Sequence, residues 1–197
     1  MGGALSYLAD QLAELEAQGM RLRIRTLQAE QRARTRYDGR DVINLASNNY
    51  LGLAAHPEVK EAAARAAREF GAGSGAVRTI AGTMTLHEEL ERRFAAFKGA
   101  EAALMFPSGF AANAGTVAAI LTRDDVIVSD ELNHASIIDG ARLSRAEIRV
   151  FPHRDVEAAD RLLAEGEGKA RKLLITDGVF SMDGDVAPLP ALVEVAE

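Results

Sequence analysis

The chain has 197 residues, 48% of them hydrophobic, which is enough to bury a core as one large domain or as part of a larger one. Its 23 basic and 29 acidic side chains leave a net charge of −6, scattered along the chain, so neither nucleic acid nor an anionic membrane is an expected partner. With no cysteine, disulfides, thiolate metal ligands and cysteine nucleophiles are excluded together.

Met1-Gly2 with Ser6 fits a myristoylation pattern, but acidic residues follow where a basic segment would reinforce it, and so short a pattern arises by chance. The start lacks the basic and apolar stretches of a signal peptide, and no later apolar run approaches the roughly 18 residues of a membrane helix. A cytoplasmic protein is the expectation. Leu5, Leu8, Leu12 and Leu15, spaced by three and four, predict an amphipathic helix over 5–18 that packs as an N-terminal arm. Residues 34–46 read as a hairpin: a polar strand, an Asp38-Gly39 turn suited to type I′, then Val42, Ile43 and Leu45. Helices follow over 57–70 and 84–98, the second opened by Thr85 with Glu88 three residues on, a capping-box pattern.

Beyond residue 100 the rhythm changes to strand then helix. Strands are expected near 101–106, 125–129, 147–151 and 172–176, a spacing of roughly 24 residues that suits β-α units feeding a mostly parallel sheet. A last helix begins after Pro188 and still runs at Glu197. A parallel sheet normally continues past such a helix, so the expectation is the N-terminal part of something longer. The domains read as 1–53, a helix and hairpin arm, and 54–197, the first part of a larger α/β domain.

The chemistry gathers after the strands. In an open α/β sheet, ligands sit outside the carboxyl ends of the strands, and Ser108-Gly109-Phe110, Asn133-His134 and the stretch Asp177 to Asp185 all follow predicted strands. A Ser-Gly helix start suits a phosphate, an imidazole can lie flat on an aromatic ring, and the Ser181 hydroxyl can reach a ring oxygen. Each piece also has a plainer reading. His134 can simply cap a helix, Asp177, Asp183 and Asp185 can be turn residues, Asn48 and Asn49 can form Asx turns, and Gly71 to Gly75 can be a connection.

Three other chemistries fail on context. The glycine run follows a helical stretch instead of a strand and lacks the third spacing of a dinucleotide fingerprint. No G-x-S-x-G elbow surrounds Ser108. His56, His87, His134 and His153 are far apart without any H-x-x-x-H pairing, so no metal is assigned.

Five ordered motifs resemble the α-oxoamine synthases: Asn44-Leu-Ala-Ser-Asn-Asn-Tyr-Leu-Gly-Leu53, the stretch from Gly71 to Thr83, Ser108-Gly-Phe-Ala-Ala-Asn113, Leu132-Asn-His-Ala-Ser-Ile-Ile-Asp-Gly140 and Thr176-Asp-Gly-Val-Phe-Ser-Met-Asp-Gly-Asp185. The resemblance implies an aspartate-aminotransferase-like α/β fold (PLP fold type I), a mostly parallel sheet flanked by helices, and pyridoxal 5'-phosphate as cofactor. It implies that Ser108, Gly109 and Phe110 hold the cofactor phosphate, that His134 stacks on the pyridine ring and contacts substrate, and that Ser181 bonds the phenolic oxygen. Asn48 would contact the amino-acid substrate, Arg21 or Arg23 would bind its carboxylate, and Arg78 and Thr79 would lie near the active site of a homodimer, on either subunit.

In this family the cofactor serves as an electron sink while glycine or alanine loses its α-proton and attacks an acyl-CoA thioester. Alanine with a pimeloyl thioester leads towards biotin, whereas glycine with acetyl-CoA gives an intermediate of threonine breakdown. The pattern departs from the family in one respect. The lysine that anchors the cofactor and the aspartate that pairs with its ring nitrogen are not found, because Lys60, Lys98, Lys169 and Lys172 occupy helical or surface contexts. The chain alone is therefore expected to be inactive, with catalysis belonging to a longer enzyme. The alternative is a non-catalytic subunit of the same fold that builds a dimer.

Overall fold

A computed structural model describes residues 3–166 and 168–197, and the Met1-Gly2 pattern lies outside them. The chain divides into two compact units, Met1–Thr83 and Met84–Glu197.

The first unit holds helix α1 (Ser6–Ala17), a hairpin of β1 (Arg34–Tyr37) and β2 (Arg40–Ile43), and helix α2 (Pro57–Phe70). The hairpin forms where the sequence places it, with Arg34 opposite Ile43 and Tyr37 opposite Arg40. Asp38 and Gly39 both take positive φ, 49° and 78°, which is what a type I′ turn requires. Pro57 starts α2 with its φ preset and no amide to waste, and Gly71 ends it at φ 86°.

The leucine stripe of α1 is present, but no residue of the helix is buried and Leu5 remains 66% exposed. The expected packed arm is thus an exposed helix, since spacing alone makes a stripe and only a facing apolar surface covers it. Packing also divides the chain at 83/84, whereas the motifs suggest 53/54. The reason is local: α2 packs against the 3-10 turn Leu53–Ala55, and the π-turn Arg78–Gly82 closes back on the Val77 carbonyl. That π-turn needs its glycine, because a Cβ on Gly82 would lie 1.9 Å from the Ala76 carbonyl oxygen.

The second unit comprises α3 (Thr85–Lys98), α4 (Gly109–Ile120), β3 (Val126–Asp130), α5 (Ala135–Ser144), β4 (Glu147–Phe151), α6 (Val156–Ala164), β5 (Lys172–Ile175) and α7 (Leu189–Ala196). Its three strands form a parallel sheet in the order β4-β3-β5, the β-α arrangement read from the sequence. The middle strand is buried along its whole length because helices cover both faces. On one face Ile127 packs with Val117, Leu121, Ala141 and Ala146; on the other Val128 packs with Phe151, Ala159, Leu163, Phe180 and Leu192. Alternate residues of one strand thus serve two cores.

Two local expectations are corrected. Residues 102–106 form no strand among the described residues: they pair with no neighbour, and a strand exists only through its partner's hydrogen bonds. The Met105 amide donates to the Glu91 carboxylate at 2.9 Å instead. Thr85 is the first residue of α3, not its cap, and the reach-back bond comes from His87, whose Nδ1 accepts from the Met84 amide at 3.0 Å.

Candidate functional site

In the second unit the loops leaving β3 and β5 meet the start of α4 on one rim. Ser108 caps α4 in extended conformation, its Oγ accepting from the Ala111 amide at 3.1 Å. That satisfies one of the orphan donors at the helix start. The amides of Gly109 and Phe110 have no acceptor among the described residues, and the positive end of the helix dipole stands behind them. A Cβ built on Gly109 meets nothing within 4 Å, so the approach to these donors is open. The arrangement suits a tetrahedral anion.

His134 stands at the start of α5. Its backbone amide donates to Asp177 Oδ2 at 2.7 Å, and its Nδ1 accepts from the Ser136 amide at 3.2 Å. The plainer reading of His134 as a helix cap is therefore realised, and it leaves the other edge of an exposed ring available. The Asn113 amide group, one turn into α4, donates to Ser136 Oγ at 2.9 Å. A turn of helix rises about 5.4 Å, so this bond places the Ser108-Gly109-Phe110 turn and His134 on the same side of the molecule.

Helices α4 and α5 can approach this closely only because of Gly140. A Cβ there would lie 2.7 Å from the Asn113 carbonyl oxygen. Asn133 is buried; it donates to Ser129 Oγ and to the Ile175 carbonyl, both at 2.9 Å, and accepts from the Asp177 amide at 2.8 Å. The loops after β3 and β5 are thereby tied together, and Asp177 is more than a turn residue.

Ser181 lies at the exposed tip of a small loop that follows Asp177, closed by bonds from the Phe180 amide to the Asp185 carbonyl and from the Gly184 amide to the Phe180 carbonyl, both 2.8 Å. Phe180 plugs this loop into the core. His153 stands edge-on to the Phe180 ring, with centroids 4.4 Å apart, and bridges Asp130 at 3.0 Å and Asp185 at 3.2 Å. The Asp130 hydrogen bond chiefly, and Asp185 with it, raise the His153 pKa above 6.5 against the opposing effect of burial.

The remaining candidates belong to the first unit. Asn48 is exposed and its side chain has no hydrogen-bond partner among the described residues, whereas Asn49 bonds the Gln31 carbonyl at 3.0 Å and the Ala54 amide at 3.1 Å. Asn49 is the structural member of the pair and Asn48 the available one. Arg21 and Arg23 both pair with Glu16, Arg23 at 3.7 Å. Arg78 and Thr79 start the π-turn, where the Arg78 carbonyl accepts from Thr83 Oγ1 at 2.7 Å. A hollow of about 690 Å³ against the hairpin, lined by Gln28, Arg34, Arg36 and Asp41 among others, contains none of the expected site residues.

Sequence reading missed Asn113 and Ser136, and named Asn133 beside His134 without its partners, although all three fall inside its motifs. Their polar side chains within apolar, small-residue stretches were the available signal: a buried polar group needs a partner.

Residues 40–197 match the family model described as Aminotransferase class I and II. The chain is similar to the 8-amino-7-oxononanoate synthases of Thermoanaerobacter pseudethanolicus and Geobacter sulfurreducens, at 54% and 55% identity over 98% and 94% of its residues, which cover 49% and 48% of those proteins. It thus spans about half the length of the curated relatives it matches. Among solved structures, a serine palmitoyltransferase variant from S. paucimobilis with PLP and myriocin bound superposes with a TM-score of 0.89 at 32% identity, over 98% of this chain and 52% of that one.

Proposed function

Because this chain belongs to the aminotransferase class I and II family, we propose that the protein carrying it is a pyridoxal-phosphate-dependent α-oxoamine synthase that joins alanine to a pimeloyl thioester, releasing CoA and carbon dioxide to give 8-amino-7-oxononanoate. The observation that carries this reading is the pair of unspent amides at Gly109 and Phe110, tied through Asn113 and Ser136 to His134. It is supported by relatives at 54% and 55% identity that carry this activity in their names.

The donor set fits the cofactor. A phosphate monoester takes the two amides and the Ser108 hydroxyl, with Gly109 leaving room for it. When bound, pyridoxal phosphate supplies an electron sink for the amino acid's α-carbon. His134 offers its ring face to the pyridine and its free edge to substrate, and the Ser181 hydroxyl serves the phenolic oxygen. Asn48, with Arg21 or Arg23, receives the amino acid and its carboxylate. Arg78 and Thr79 belong near an active site of a homodimer, whose other partners are the acyl-CoA and the amino acid.

The lysines of this chain do not supply a covalent anchor. Lys60 pairs with Glu30, Lys169 with Glu147 at 2.8 Å, Lys172 donates to the Leu163 carbonyl at 3.2 Å, and Lys98 ends α3. Taken alone, the 197 residues hold the cofactor without bonding to it and do not turn over.

Borohydride reduction followed by intact-mass measurement tests both parts. The chain alone should gain no cofactor mass. A protein extended to the full length of the relatives should gain one, and should release CoA from pimeloyl-CoA only when alanine is added. An extended protein that neither takes up the cofactor nor releases CoA would defeat the reading.

A further inference from the structure

His134 turns its Nδ1 towards its own helix, and the donors it meets there determine where its proton sits. The Ser136 amide, 3.2 Å away, can only donate, so Nδ1 accepts and carries no proton. Ser136 Oγ lies 2.7 Å from the same nitrogen and therefore donates its hydroxyl hydrogen to it, sharing the lone pair in a three-centre bond. The Oγ lone pairs are then left to accept from Asn113 Nδ2 at 2.9 Å. Donation runs one way, from Asn113 to Ser136 to His134, and every group in it is used in the only sense open to it. The ring proton is left on Nε2, the edge pointing away from the helix.

The middle of the relay is shielded from water. Ser136 is 1% exposed, so little solvent competes for its hydroxyl, and its bonds are stronger for it. A second restraint holds the backbone of His134 through Asp177 at 2.7 Å. Asn113 and Ser136 sit on different helices, 23 residues apart, and the glycine contact at residue 140 brings those helices together.

We propose that Asn113 and Ser136 are positioning residues that fix His134 as its Nε2–H tautomer, so that the imidazole presents a hydrogen-bond donor to an oxygen of the substrate, either the amino-acid carboxylate or the thioester carbonyl. The identity of that oxygen rests on the function proposed above; the tautomer does not. A ring locked by two donors has its proton in place before substrate arrives, whereas a freely rotating one must first be oriented. Neither Asn113 nor Ser136 touches substrate in this scheme, and both act through His134.

Long-range nitrogen–proton NMR of the imidazoles in the 197-residue chain reads the tautomer without any cofactor. At alkaline pH, Nδ1 of His134 should be the unprotonated nitrogen and Nε2 the protonated one. Ser136→Ala keeps the backbone donor but removes the shorter hydroxyl bond, so it should move the ring part of the way towards a mixture of tautomers; Ser136→Thr should restore the single form, and Asn113→Leu should shift it less far. A wild-type His134 protonated on Nδ1, or a tautomer indifferent to Ser136→Ala in a variant whose circular dichroism is unchanged, would overturn the assignment. Should Ser136→Ala fail to fold, Asn113→Leu carries the same test. In the extended protein, Ser136→Ala should lower kcat/KM roughly tenfold, the scale of one lost hydrogen bond, and Ser136→Thr should recover it. An unchanged kcat/KM beside an altered tautomer would overturn the link to substrate. An extended protein with no acyl transfer at all would defeat the proposed function and leave the NMR result standing.

Discussion

In the second unit β3 is buried along all five of its residues, whereas in the first unit α1 buries none of its twelve. The contrast extends to the candidate site. The Ser108 turn, His134 and the Ser181 loop spring from helices and strands packed on two cores, and the loops are cross-tied by Asn133, Asp177 and His153. Arg21, Arg23 and Asn48 lie on exposed chain held by local hydrogen bonds and ion pairs. The difference separates donors fixed by packed elements from side chains held only by their neighbours in the chain, and only the first kind is preorganised.

The sharpest way to break the comparison is to remove the core on which the second unit stands. Phe151 is fully buried, and Phe151→Ala should cost about 3–5 kcal/mol in urea denaturation. A loss below about 1 kcal/mol would mean that the sheet is not the stabilising centre. Gly140→Ala comes next, at about 1–3 kcal/mol, because the new methyl meets the Asn113 backbone and must push α5 from α4. The same variant should disturb the His134 imidazole signals, because His134 caps the helix that the new methyl displaces.

His153 gives a graded effect. Its pKa is raised in the folded protein by Asp130 and Asp185, so the stability it contributes is complete below its free value of 6.5 and fades as pH rises through the higher folded value. Thermal melts across that window should show stability falling with pH in the wild type, and a flatter profile in His153→Gln. Equal slopes in the two proteins would refute the bridge. The smallest effect belongs to the first unit. Leu12 is already 48% exposed, and Leu12→Ala should change stability by less than about 0.5 kcal/mol. A large loss would show that α1 is covered by something.

Much of the fold was legible because local chemistry decided it. Pro57 and Gly71 bracket α2, Asp38-Gly39 makes the hairpin turn, Ser108 caps α4, and the runs expected near 125–129, 147–151 and 172–176 become, within a residue, the strands of the sheet. The failures share one cause. Residues 102–106 look like a strand by composition, but pairing is a property of a neighbour, and composition carries no word of one. The leucines of α1 likewise announce a face without announcing its cover.

In the site, motif resemblance picked out Ser108, Gly109, Phe110, His134 and Ser181, but not what holds His134. Its ties run to residues 43 positions away at Asp177 and, by way of Ser136, to Asn113 on another helix. Single side-chain bonds between distant segments leave no periodic trace, so only coordinates expose them. Arg21 and Arg23 are not told apart by their contacts, because both meet Glu16.

The Gly109 and Phe110 amides are proposed to grip the cofactor's phosphate beside His134. Amide NMR of the 197-residue chain, titrated in parallel with pyridoxal phosphate and with pyridoxal, tests it directly. The phosphate ester should shift Gly109, Phe110 and His134 together, while pyridoxal, lacking the anion, should leave Gly109 and Phe110 unmoved. Shifts scattered over other residues, or equal responses to the two compounds, would contradict it.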